Sequence, residues 1–322
     1  MQFPTILTND PITRRWTSVS ITAVISITLS LWGIYGIGEY GLALFVITPI
    51  FIGLSSTIIF GYKREMTSKA GILNSLLSLG VLGLFLILFA VEGLICIAMA
   101  APLAALLTIG GSAIGYAIVQ KIPSKAMHSI VLLAILIPTT AFIEHNSQPT
   151  THPVSTKVII NAPIEVVWQN VLEFPALSEP TEFMFTSGIA YPINATIEGS
   201  GVGAVRHCNF NTGSFVEPIT IWDAPNLLSF SVLGQPEPMK ELSFWDVDAP
   251  HLHDYFVSKK GQFKLAELPN GQTELEGTTW YIHDIKPGIY WALWSNWIVH
   301  SIHKRVLKHI KLNAERKDHE LR

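Results

Sequence analysis

Five apolar runs dominate the first 145 residues, at about 16–36, 40–60, 70–91, 94–119 and 126–143. Crossing about 30 Å of hydrocarbon takes roughly 20 mostly apolar residues in helical form, and each run has or approaches that length. None carries the polar face that a helix on the surface of a soluble protein needs. The whole chain is only 14% charged, against about 25% in soluble domains, and most of that charge lies after residue 145. These features predict a multi-pass membrane region of about five helices at 1–145, followed by a separate domain. They exclude a disordered or nucleic-acid-binding chain, which would be poor in hydrophobic residues or carry a basic face. The first run is too long and too rich in Ser and Thr for a cleaved leader, and no small-residue cleavage site follows it.

The short loops set an orientation. Arg14 and Arg15 precede the first run, Lys63, Arg64 and Lys69 separate the second from the third, and Lys121 and Lys125 separate the fourth from the fifth. The alternate loops, around Gly38-Glu39 and Glu92-Gly93, contain no Lys or Arg. Basic loops stay on the cytoplasmic side. The expectation is an integral plasma-membrane protein with a cytoplasmic N-terminus and an extracytoplasmic C-terminal domain. Glu92 and His128 sit at run boundaries where water can solvate them, and no inverted repeat of the transporter kind is visible. Gly111 and Gly115 form a small-xxx-small pair suited to close helix contact.

A polar, Pro-containing linker at 146–155 leads into a domain at 156–316, with a tail at 317–322. Residue patterning predicts a strand at 156–161, a helix at 164–172 opened by Pro163, and a helical turn at 175–182. Strands follow at 193–197, 203–210, 214–222 and 227–232, and then a long loop. Two longer strands at 254–265 and 273–283 are joined by a Pro269-Asn270-Gly271 turn, and a helix at 287–316 closes the domain.

Particular segments recur in this order. The opening is Lys157-Val-Ile-Ile-Asn-Ala-Pro-Ile-Glu-Val-Val-Trp168, a strand, an Ala-Pro turn and a Val-Trp on the first helix. Gly201-Val-Gly203 precedes a strand, Trp222-Asp-Ala-Pro-Asn-Leu-Leu-Ser-Phe230 follows, and Gly261-Gln-Phe-Lys-Leu265 comes before Asn270-Gly-Gln-Thr273. Together they resemble the START-like, or SRPBCC, superfamily, which includes polyketide cyclase/dehydrase-like and lipid-transfer proteins. The resemblance covers residues 156–316. It implies an α+β helix-grip fold, an antiparallel sheet curving around the long C-terminal helix with an apolar cavity between them. The membrane half shows no such resemblance.

Side-chain parity points to the same cavity face. In the 254–265 strand, Tyr255, Val257, Phe263 and Leu265 oppose Ser258, Lys260, Gln262 and Lys264, so one face is buried. In the next strand Leu275, Gly277, Thr279 and Tyr281 share a face, with small residues in its middle that leave room for a ligand. The last helix carries Tyr290, Trp291, Trp294, Trp297, Ile298, Ile302, Val306 and Ile310 as an apolar stripe, while His300, His303, Lys304, Arg305, Lys308 and Lys311 make its second half basic. The candidate ligand-binding residues are Arg206, His207, Tyr255, Glu276, Thr279, Tyr281, Trp294 and Trp297.

Other motifs carry less. Asp246, Asp248, His251, His253 and Asp254 are the densest set of metal-ligating types, but they match no fixed signature, and neither a metal nor a cofactor is expected. Gly199-Ser-Gly201-Val-Gly203-Ala204 has the glycines of a dinucleotide fingerprint, which needs a helix after it; here a strand follows. Cys96 and Cys208 are too few for a disulfide framework. His207 or His283 with Glu276 would supply acid–base groups, yet no nucleophile motif accompanies them and no catalytic residue is identified. The expected function is membrane-anchored handling of a hydrophobic or lipid-like ligand, with the bilayer and that ligand as partners. The alternatives are a cyclase- or hydrolase-like enzyme on an apolar substrate, and a partner-binding membrane sensor or assembly protein. Oligomeric state is not legible.

Overall fold

The computed structural model describes residues 10–38, 40–123, 126–144, 150–240, 245, 247–253 and 255–321. The chain divides into a helical unit, built mainly from residues before 149, and a sheet unit built mainly from those after it. Short pieces at 247–250 and 285–287 belong to the helical unit.

The helical unit contains α1 (Pro11–Leu31), α2 (Thr48–Gly61), α3 (Ser68–Leu88), α4 (Leu94–Lys121) and α5 (Ala126–Glu144). Wider π-helical turns extend α1 through Ile37 and lead into α2 from Ala43. These five helices are long and apolar enough to cross a membrane. The start of α1 follows from its residues: the Asp10 carboxylate accepts from the Thr13 N–H at 2.7 Å, and Pro11 fills a position that needs no donor. Thr67 caps α3 in the same way, through the Ala70 N–H at 3.2 Å.

Most of α2 is buried, against a third or less of each other apolar helix, so α2 is the centre of the unit. Small residues let α4 lie directly on it. A Cβ at Gly111 would fall 2.2 Å from the Ile50 carbonyl oxygen, and one at Gly115 would fall 2.8 Å from that of Leu54. The interior is also polar. Ser18, Thr22, Ser26 and Ser30 place one buried hydroxyl on each turn of α1. Ser18 donates to the Ser56 carbonyl at 2.7 Å, and Asn74 Nδ2 donates to Ser18 Oγ at 3.1 Å and Ser56 Oγ at 2.8 Å. Thr57 Oγ1 shares hydrogen bonds with Ser75 Oγ at 2.9 Å and Ser112 Oγ at 2.6 Å. Hydroxyls therefore tie α1, α2, α3 and α4 together. The runs read as apolar all round because Ser and Thr scarcely lower their hydropathy.

In the sheet unit, β1 (Thr151–Ile160), α6 (Ile164–Leu172) and α7 (Phe183–Thr186) come first. They are followed by β2 (Pro192–Glu198), β3 (Val205–Phe210), β4 (Gly213–Asp223), β5 (Leu227–Ser231), β6 (Phe256–Glu267), β7 (Thr273–His283) and α8 (Gly288–Leu321). All pairings are antiparallel, in the order β1-β7-β6-β5-β4-β3-β2. The curled sheet closes as a half-barrel over α8. Its core joins Trp168 and Val171 of α6, Ile219, Leu228, Leu265 and Leu275 of the sheet, and Leu307 and Ile310 of α8.

Several boundaries of the sheet unit differ from the sequence reading, most by two residues or fewer and three by more. Thr151 already pairs with Ile282, so residues 151–155 are strand and not linker; β1 is a sheet edge, where Pro153 is tolerated. The helical turn lies at Phe183–Thr186, because Pro175 and Pro180 hold the 175–182 stretch out of helix. The last helix takes in 317–321, where no Gly or Pro interrupts it.

Candidate functional site

Between the sheet and α8 lies a cavity of about 120 Å³. Phe210, Phe215, Phe230, Phe256 and Phe263 wall it from the sheet, and Val299, Ile302, Val306 and Leu307 from the helix. One of these rings explains a glycine. A Cβ at Gly261 would lie 2.4 Å from the Phe230 ring, so only glycine on β6 lets that ring lie across it. The turn before β3 is equally constrained: Gly199, Gly201 and Gly203 have φ of 87°, 79° and 94°, which suit glycine.

Two polar groupings line the same cavity. On β3 and β4, Arg206 is ion-paired with Glu217 and gives its Nε–H to the Leu172 carbonyl at 3.2 Å. Its guanidinium lies 5.6, 5.7 and 5.5 Å from the ring centroids of Phe174, Phe230 and Phe263. Burial works against the Arg206 charge, but Glu217 and Cys208 outweigh it and hold the pKa above the usual value. Burial raises Glu217 in turn, against the attraction of Arg206. Burial, and then the nearby Glu217 charge, push the Cys208 thiol up to about 12.

The second grouping joins β1, β7 and α8. Thr156 Oγ1 lies 2.8 Å from His300 Nδ1 and 3.1 Å from His303 Nδ1, and Thr279 Oγ1 lies 2.8 Å from His303 Nε2. Burial, and then the charge of His300, lower His303 to about 4. Its ring is thus neutral at pH 7, with one nitrogen donating and the other accepting.

Of the candidate ligand-binding residues, Arg206 and Thr279 line the cavity, as do Phe263, Gly277, Ile302 and Val306, which the sequence placed on its face. His207 alternates to the other face of β3, between lining residues Arg206 and Cys208. Tyr255 and Val257 do not line it, whereas Phe256 and Ser258 do. The reason is a bulge between Ser258 and Lys260, which reverses the parity of β6 before it returns to Gly261 and Phe263. Glu276 turns outward to Lys157, at 3.2 Å. Tyr281 is fully buried beside Val154 and Val299 and donates to Asn296 Oδ1 at 2.8 Å. Trp294 is half-buried and Trp297 is 51% exposed, and neither lines the cavity. The inner face of α8 is carried instead by Val299, His303, Val306, Leu307 and Ile310.

His207 and Glu276 lie on β3 and β7 with three strands between them, so they form no acid–base pair. The buried His283 ring stacks on His152, with centroids 5.0 Å apart. Glu217, Cys208, Phe230, Ser258 and His303 also line the cavity but are not among the candidate ligand-binding residues; side-chain parity places Ser258 on the wet face of its strand. For His303 a signal existed, since it stands four residues from both Val299 and Leu307 and shares their helical phase. Asp246 and Asp254 lie outside the described residues; Asp248 belongs to the helical unit, and His251 and His253 to the sheet unit.

No family model and no curated protein matches the chain. Solved structures similar to it include a protein from Nitrosospira multiformis, 16% identical with a TM-score of 0.32, covering 50% of this chain and 94% of the other. A truncated norcoclaurine synthase from Thalictrum flavum is 12% identical with a TM-score of 0.34, covering 52% and 94%. The protein XoxI from Bacillus cereus is 15% identical with a TM-score of 0.32, covering 52% and 96%.

Proposed function

We propose that this protein is a membrane-anchored binder of a small hydrophobic molecule, held in the cavity of an extracytoplasmic START-like domain. The observation that carries this reading is the cavity itself, walled by five phenylalanines and the apolar face of α8. Its volume of about 120 Å³ is close to the roughly 150 Å³ of an engineered apolar cavity that admits benzene. The natural occupant is therefore a molecule of about one ring, or one end of a longer chain, rather than a whole two-chain lipid. The separation of His207 from Glu276 favours binding over acid–base catalysis on such a molecule.

The anchoring half of the proposal rests on the five long apolar helices and on the placement of the basic residues. With Arg14, Arg15, Lys63, Arg64, Lys69 and Lys121 on the cytoplasmic side, an odd number of crossings puts the sheet unit outside. Tethering there would keep the cavity near the bilayer, where apolar molecules concentrate.

Organic extraction of the full-length protein, purified in nanodiscs, tests the binding. A Cβ at Gly277 sits at ordinary contact distance, 3.5 Å from both Leu307 and Phe263, so the methyls of Gly277→Val enter the cavity. The wild type is expected to carry a narrow set of small apolar molecules near stoichiometry, and Gly277→Val to lose them. Equal retention by both would overturn the reading. Topology is tested by Lys259→Cys in a Cys96→Ser background, since Lys259 is exposed on β6. Labelling by a membrane-impermeant maleimide on intact cells is expected; labelling only after permeabilisation would reverse the orientation.

A further inference from the structure

The geometry points to an uncharged ligand with a single oxygen function, a hydroxyl or carbonyl, which docks on the Thr279 hydroxyl at the inner end of a hydrogen-bonded chain. This inference rests on the reading of the cavity as a ligand site. The chain runs His300 Nδ1, Thr156 Oγ1, the His303 ring and Thr279 Oγ1, with links of 2.8, 3.1 and 2.8 Å. Its last two members, His303 and Thr279, line the cavity.

Proton counting along this chain decides what it can hold. Each hydroxyl has one proton to give, and a neutral imidazole donates from one nitrogen and accepts at the other. If His303 donates from Nδ1 to Thr156, then Thr156 donates onward to His300, and His303 Nε2 accepts the Thr279 proton. Thr279 then faces the cavity with lone pairs and takes a hydrogen bond from a ligand hydroxyl. If the chain runs the other way, His300 donates to Thr156, Thr156 to His303 Nδ1, and His303 Nε2 to Thr279. The Thr279 proton is then free to reach a ligand hydroxyl or carbonyl oxygen. An alcohol satisfies both polarities and a carbonyl satisfies one. A hydrocarbon satisfies neither and leaves the hydroxyl half-used in an apolar cavity, which is how a polar site rejects an analogue that lacks the group.

A carboxylate is the poorer fit. The chain offers it one donor at most, and neither member that lines the cavity, the neutral His303 ring or the Thr279 hydroxyl, brings a positive charge. Among the described residues, the cations that line the cavity are Arg206 and Lys260. Arg206 is already committed to Glu217 and to the Leu172 carbonyl, and the Lys260 ammonium lies over the Trp280 ring, 4.9 Å from its centroid and away from the lining. A second buried anion beside Glu217 would have to be desolvated without a partner of its own.

Three probes of equal ring size separate these cases: 4-fluorophenol, 4-fluorotoluene and 4-fluorobenzoate, followed by fluorine NMR with the delipidated full-length protein in nanodiscs at pH 7. Empty nanodiscs supply the partition background. The phenol is expected to bind about tenfold more tightly than the toluene, equivalent to one net hydrogen bond, and the benzoate to bind most weakly. Thr279→Val should erase the preference for the phenol while leaving toluene binding intact, which also shows that the variant is folded; Thr279→Ser should keep the preference. Equal binding of phenol and toluene, or a preference that survives Thr279→Val, overturns the oxygen site and leaves the cavity standing. Tightest binding by the benzoate overturns it in favour of an anion at Arg206. Failure of all three probes to bind the wild type overturns the inference together with the cavity reading beneath it.

Discussion

Arg206 and Glu217 stand directly opposite each other on β3 and β4, ion-paired and only 1% and 6% exposed. Two charges so deeply buried hold one another in place: removing one strands the other without water. Such single losses typically cost about 3–5 kcal/mol, whereas replacing both partners by apolar groups of similar size is often close to neutral. Arg206→Met and Glu217→Leu should each lower the thermal unfolding midpoint of the full-length protein markedly, and the double variant should lie nearer the wild type than either single. A double variant that shows the sum of the two losses would mean that the charges are not coupled.

The same pair controls a thiol. Cys208 is buried next to Arg206 and Glu217, and its pKa is pushed to about 12. Thiolate is the reactive form, so Cys208 is expected to resist alkylation at pH 8 as long as the sheet unit is folded. In a Cys96→Ser background, a maleimide should modify nothing in the native protein within minutes and one thiol after denaturation. Fast native labelling at Cys208 would show that the cavity opens to solvent on that timescale.

His303 makes stability depend on pH. Its folded-state pKa is lowered from 6.5 to about 4 by burial and by the charge of His300. Between those values the unfolded chain takes up a proton at this site and the folded chain does not. The stability tied to a neutral His303 is therefore fully present above about pH 6.5 and is lost as pH falls towards 4, by about 3 kcal/mol at most. His303→Gln keeps a side chain that can both donate and accept between Thr156 and Thr279, and it removes the titration. Its unfolding midpoint should fall less steeply than that of the wild type between pH 7 and 4. Parallel pH profiles for the two proteins would assign the slope to other groups.

What was legible in the sequence follows from the range of the physics involved. Apolar run length is local, so all five long helices were visible, and period-two alternation located every strand of the sheet. Pairing between elements is not local. Arg206 and Glu217 meet only because the turn at 211–212 sets the β3–β4 register. The bulge after Ser258 has no residue signature, so Tyr255 stood in the reading where Phe256 and Ser258 stand in the fold. His303 was counted with the basic half of its helix because its neighbours, Lys304 and Arg305, are charged. The tertiary partners Thr156 and Thr279 are what make it a neutral interior group. The hydroxyls of α1 were hidden in the same way: Ser18 and Thr22 look incidental until α2 and α3 present Ser55, Ser56 and Asn74 to them.

The contact between α2 and α4 allows a test that separates backbone approach from the intrinsic cost of changing a glycine. Gly110 and Gly111 are adjacent in α4. A Cβ at Gly111 would lie 2.2 Å from the Ile50 carbonyl oxygen, whereas one at Gly110 meets nothing within 4 Å. The obstacle at Gly111 is backbone, which cannot swing aside as a side-chain tip can, so the helices must separate. Overpacking of this kind costs about 1–3 kcal/mol, and Ala on the open side should be neutral or slightly stabilising through its better helix propensity. Gly111→Ala is thus expected to lower the thermal midpoint of the nanodisc-embedded protein by several degrees, and Gly110→Ala to leave it unchanged or raise it. Equal losses at the two positions would mean that glycine is needed there for its backbone freedom and not for the approach of α2.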